Sequence, residues 1–115
     1  MSEWVRIGRL EEFPAGGARS VRVGARRMAI FRVGEEWFAL EDVCPHMRAR
    51  LSEGSVSGLE VTCGWHGWRF DLRSGRSLTK SWARVRTGAI RVEAGEVFLA
   101  PPAEDAPSAD DTEGG

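Results

Sequence analysis

The chain has no tyrosine, a single lysine, and only two cysteines and two histidines among its 115 residues. No run of 18 apolar residues occurs, so no membrane-spanning helix is expected. The opening MSEWVRIGRL carries Glu3 near its start and lacks a long apolar core, so it does not read as a secretory signal. The expected compartment is the cytoplasm, where thiols and metal-bound thiolates persist. All bases except Lys80 are arginine, yet no basic run exceeds two residues. The clustered footprint of a phosphate-binding protein is therefore missing, and nucleic acid is not an expected partner. No segment repeats, and helical periodicity over 11 residues is also missing.

What the chain has instead is a series of short β-like runs, within a length that suits one domain. WVRIGRL and SVRVG alternate apolar residues with arginine. RRMAIFRV and WFALED flank GEE and predict a hairpin turning at Gly34; AIRVE and EVFLA predict another with Ala94 and Gly95 at its tip. LEVTCGW and WRFDL are short strands, and RSG after Leu72 is a turn. With 14 glycines and turn signals at regular intervals, the fold class is all-β. The expected core comprises Trp4, Ile7, Val21, Val23, Ile30, Phe31, Trp37, Phe38, Leu40, Ile90, Val92, Val97 and Leu99. Residues 1–100 form the domain. Residues 101–115, PPAEDAPSADDTEGG, hold five acids and no base, and are expected to be a disordered acidic tail. The net charge of −1 therefore hides a basic body.

Every cysteine and histidine lies between Cys44 and His66. Cys44 and His46 form a C-x-H pair bent by Pro45; Cys63 and His66 form a C-x-x-H pair loosened by Gly64 and followed by Gly67. This is a two-loop clamp in which each loop offers one thiolate and one imidazole. A structural disulfide has no use for that company. Zinc accepts two cysteines and two histidines tetrahedrally, although zinc fingers usually pair Cys with Cys and His with His along the chain. A [2Fe–2S] cluster held by two cysteines on one iron and two histidines on the other needs each loop to reach both irons, which is the order found here.

The pattern C-P-H-x16-C-x-x-H-G-W-x-F-D, with LSEG after the first pair, WHGWRFDL around the second and RSGRS beyond, resembles a Rieske iron–sulfur domain over roughly residues 3–100. The resemblance implies three stacked antiparallel sheets with a two-loop cluster-binding tip. It also implies one [2Fe–2S] cluster, with Cys44 and Cys63 on the inner iron and His46 and His66 on the outer. Two positions depart from the common pattern: Arg48 stands where glycine is frequent, and Gly64 where proline is frequent.

Respiratory members of this family have a membrane anchor, an extra cysteine pair, and a serine and a tyrosine that donate hydrogen bonds to sulfur. Here Trp68 and Phe70 take the matching positions. The resemblance is thus to the low-potential ferredoxin component of bacterial ring-hydroxylating dioxygenase systems. That implies a monomeric electron carrier, not itself an enzyme, between a flavin-dependent ferredoxin reductase and a terminal oxygenase. No histidine remains for the mononuclear iron of an oxygenase. Arg48, Trp65 and Trp68 are candidate partner-docking residues. The alternatives are a small Rieske-like subunit of a nitrite reductase and a structural zinc-binding interaction module.

Overall fold

A computed structural model describes residues 4–24, 26–43, 50–64 and 67–102. Among the described residues nine strands follow in chain order: β1 Val5–Arg9, β2 Ala18–Val23, β3 Arg26–Val33, β4 Glu36–Glu41, β5 Ser55–Ser57, β6 Glu60–Thr62, β7 Arg69–Asp71, β8 Thr87–Glu93 and β9 Glu96–Ala100. Single 3-10 turns occupy Leu10–Glu12 and Leu51–Glu53. All named pairings are antiparallel.

Strand β3 explains the layering. Successive side chains of a strand point to opposite faces, and on β3 both faces are buried. Met28 and Ile30 enter one core with Phe13, Ala39, Val97 and Leu99. Ala29 and Phe31 enter a second core with Leu40, Leu51, Val61, Cys63, Phe70 and Leu72. The β2–β3–β4 layer therefore lies between β1–β9–β8 on one side and β5–β6–β7 on the other. A two-residue pairing, Ala39 with Gly88 and Leu40 with Thr87, joins β4 to β8 and makes the first two layers one continuous sheet. The expected all-β, antiparallel fold is present.

Both expected hairpins form. Gly34 takes φ +62° between β3 and β4; Ala94 and Gly95 take φ +52° and +79° between β8 and β9, as a two-residue hairpin twisting with its strands requires. Trp4 corrects the expected core. It precedes β1, an edge strand, is 39% exposed, and stacks under the Arg91 guanidinium 5.5 Å from the ring centroid. Ile7, Val21, Val23, Trp37, Ile90 and Val92 are half-buried around the first core. Among the described residues no helix is long and apolar enough to cross a membrane. Pro101 and Pro102 are half-buried, and the rest of the expected tail lies outside the described residues.

Candidate metal centre

Of the four sequence-identified ligands, Cys63 is described; Cys44, His46 and His66 lie outside the described residues, as do Arg48 and Trp65. The described residues fix the roots of both loops.

The second loop rises from β6 and returns into β7. The Cys63 N–H donates to the Trp68 carbonyl at 2.7 Å, and the Gly67 N–H donates back to the Cys63 carbonyl at 3.3 Å. These two bonds close the CGWHGW segment at its base. Gly67 makes the return with φ +73°, a conformation that costs a residue with a Cβ. Cys63 is a free thiol, 1% exposed, at the edge of the second core. A Cβ at Gly64 would have only the Glu53 carbonyl oxygen near it, at 4.0 Å, so this departure from the common pattern is not forced by crowding.

The first loop is closed by a carboxylate. Asp42, 5% exposed, leaves β4 with its N–H donating to the Arg27 carbonyl at 3.0 Å. Its side chain accepts the Ser52 N–H and the Ser52 hydroxyl, each at 2.7 Å. The chain entering the loop is thereby tied to the chain leaving it. One residue earlier, Glu41 accepts the Arg86 N–H at 2.9 Å and faces Arg26 at 3.4 Å, which locks the end of β4 to the strands beside it.

The two roots then meet. Gly54 follows the Leu51–Glu53 turn and packs so closely on the Thr62 carbonyl that no Cβ fits between them. Thr62 immediately precedes Cys63. The exit of the first loop is thus pressed against the entry of the second. Behind β7, the segment 76–83 adds a third support: Asp71 N–H donates to the Arg76 carbonyl at 2.9 Å, and Leu78 N–H to the Arg69 carbonyl at 2.7 Å. Trp68, buried, meets Trp82 edge-on with centroids 5.7 Å apart, and the Lys80 ammonium lies 5.9 Å over the Trp68 ring.

A buried free thiol at the base of a glycine-flanked loop fits a metal–sulfur ligand, which needs a dry inner side and room on the outer. Among the described residues no group of three or more His, Cys, Asp or Glu side chains can hold a metal ion. Sequence reasoning missed Asp42, Ser52, Lys80 and Trp82. For the first two a signal exists, an acid and a serine bracketing the C-P-H segment; an isolated Trp82 in a polar loop gives none.

Comparison with known proteins agrees with this geometry. Residues 3–87 match the family model of the Rieske [2Fe-2S] domain. Ferredoxin CarAc of Metapseudomonas resinovorans is 37% identical over 100 residues, covering 84% of this chain and 92% of that protein. A solved complex of reduced oxygenase and oxidised ferredoxin in carbazole 1,9a-dioxygenase contains a chain that superposes with a TM-score of 0.81 at 30% identity, covering 92% of this chain and 100% of that one. A nitrite reductase small-subunit structure from Mycobacterium tuberculosis reaches a TM-score of 0.83 at 22% identity, over 90% of this chain and 98% of that one, which shows a common fold.

Proposed function

Because the chain belongs to the Rieske [2Fe-2S] family, we propose that it is a one-electron carrier that takes an electron from a flavin-dependent ferredoxin reductase and hands it to a terminal oxygenase. In this reading it has no catalysis of its own and works as a monomer in the cytoplasm. Cys44 and Cys63 hold the inner iron and His46 and His66 the outer one. When bound, the cluster supplies a one-electron couple.

The observation that carries this reading is the pinning of the two loop roots to one another. Electron transfer at low cost needs a site that does not rearrange between oxidation states, and a rigid, dry inner wall supplies that. Asp42 holds the root of the first loop through two short hydrogen bonds. Gly54 packs that root on the residue before Cys63. Trp68 closes the second loop on Cys63 and shields its inner side. In this reading His46 and His66, as ligands of the outer iron, are the residues offered to a partner.

The likeness in fold to a nitrite reductase small subunit supports a second reading, but the Cys-His pairs give this chain a cluster-binding set that a purely structural subunit does not need. A zinc module is the third. The deciding experiment combines the purified protein with a flavin-dependent ferredoxin reductase and the terminal oxygenase of a ring-hydroxylating dioxygenase system. Product formation that requires this protein supports the carrier reading; turnover at the same rate without it removes that reading.

A further inference from the structure

Beside the Cys63 loop the surface carries an unusual combination of charge and exposed apolar area. Residues 67–84 contain five bases, Arg69, Arg73, Arg76, Lys80 and Arg84, against one acid, Asp71. Arg69 is paired with Glu60 at 3.1 Å. Among the described residues Lys80 and Arg76 have no carboxylate within ion-pair distance. Arg76 and Arg84 are direct partners across an isolated antiparallel bridge. Like charges placed opposite one another destabilise a pair of strands, so this face stores repulsion that an acidic surface would relieve.

In the middle of it lie two large apolar side chains, Leu78 at 43% and Trp82 at 60% exposed. The segment that presents them is held firmly. The Ser77 hydroxyl accepts the N–H groups of Thr79 at 3.1 Å and Lys80 at 2.8 Å, and the Ala83 N–H closes a turn on the Lys80 carbonyl at 3.0 Å. Trp82 rests edge-on against Trp68, whose carbonyl accepts the Cys63 N–H. A preorganised, exposed tryptophan with cations around it is the pattern of an interface anchor with a polar rim.

We propose that this face, centred on Trp82 and Leu78 and ringed by Lys80, Arg76 and Arg84, is where the redox partner docks, and that the partner offers an acidic rim around an apolar seat. The proposal rests on the electron-carrier reading and adds the sign of charge and the anchor. Docking here places the partner one side chain away from the Cys63 loop. The five acids of residues 103–115 are the rival occupant.

The test uses the cluster-loaded full chain, reduced, against two haem proteins as probes: acidic cytochrome b5 and basic cytochrome c. Rates are followed by haem absorbance across ionic strength. Salt screens attraction and repulsion alike, so the expected result is a rate that falls with salt for cytochrome b5 and rises with salt for cytochrome c. At low salt Lys80→Glu should slow cytochrome b5 reduction by about fourfold, which is what two units of charge exert on one carboxylate roughly 10 Å away in water. Leu78→Ala, which leaves the contact of Trp82 with Trp68 in place, should slow it as well, with the salt dependence and the visible spectrum unchanged. Opposite salt slopes, or no effect of either substitution while the spectrum is intact, overturn the proposal. If removal of residues 103–115 speeds cytochrome b5 reduction about tenfold or more, the tail is the occupant and the proposal also falls. A protein that reduces neither cytochrome overturns the carrier reading itself, and the docking face with it.

Discussion

The Asp42 carboxylate takes both hydrogen bonds that Ser52 has to give, from the backbone N–H and from the hydroxyl, at 2.7 Å each. The nine residues between these positions include Cys44 and His46. The bond pair therefore closes the first ligand loop at its base in the way that the Cys63 and Trp68 backbone closes the second.

Removing that carboxylate should loosen the site. A buried hydrogen bond to a charged group is worth about 1.5–3 kcal/mol, and Asp42→Ala breaks two while leaving the Ser52 groups in a half-buried place. We expect the variant to lose about 2 kcal/mol or more of stability and to be purified with less iron than wild type. Thermal unfolding and iron content measured together check this. Full stability with full iron would show that the loop does not depend on the clamp.

Gly54→Ala should be costly for a different reason. The new methyl group meets the Thr62 carbonyl, a backbone atom that cannot swing aside. Either the Leu51–Glu53 turn or β6 must move, and overpacking of this kind costs about 1–3 kcal/mol. Because Cys63 follows Thr62, the visible spectrum should change along with the melting temperature. An unaltered melting curve contradicts the close packing.

Ala94 runs the other way. It is the one described non-glycine residue with positive φ, at +52°. A left-handed alanine costs about 1 kcal/mol, and Asn is favoured in such hairpin turns. Ala94→Asn should raise the melting temperature by about 4 °C or more, with no change in the spectrum, since the hairpin tip is far along the chain from the ligand loops. A lower melting temperature would count against the turn.

The reduction potential should sit near the bottom of the family range. Imidazole ligands are neutral and lift the potential above that of all-cysteine clusters, to about −150 mV at least. Hydrogen bonds to sulfur lift it further. Trp68 and Phe70 carry no hydroxyl, and both are buried in the second core. Voltammetry should therefore give about −150 mV; a midpoint above about +100 mV belongs to the respiratory members' part of the range and contradicts the assignment.

The sequence made different parts of this molecule legible to different degrees. The long strands were readable because alternation needs length: β3 and β8 run for eight and seven residues. Their hairpins declared themselves through Gly34 and Gly95. The second core was readable only at Phe31, Phe38 and Leu40. Leu51, Val61, Phe70, Leu72, Ala83 and Val85 come from three-residue strands and loops, where no period can show. The ligand pairs stood out because cysteine and histidine occur nowhere else. Asp42 did not, since a single acid at the end of a strand looks like surface until Ser52 is placed against it. Trp4 misled because an alternating pattern does not say that β1 is an edge, paired among the described strands with β9 alone.

The central claim is that two Cys-His pairs hold one [2Fe–2S] cluster, and the most direct measurement is electron paramagnetic resonance of the purified protein after dithionite reduction, with iron, sulfide and zinc determined on the same sample. The expected result is iron and acid-labile sulfide in equal amounts, a signal that appears only on reduction, and loss of both in Cys63→Ser. Stoichiometric zinc with no signal in either state, or a Cys63→Ser protein that keeps full iron and an unchanged spectrum, would contradict it.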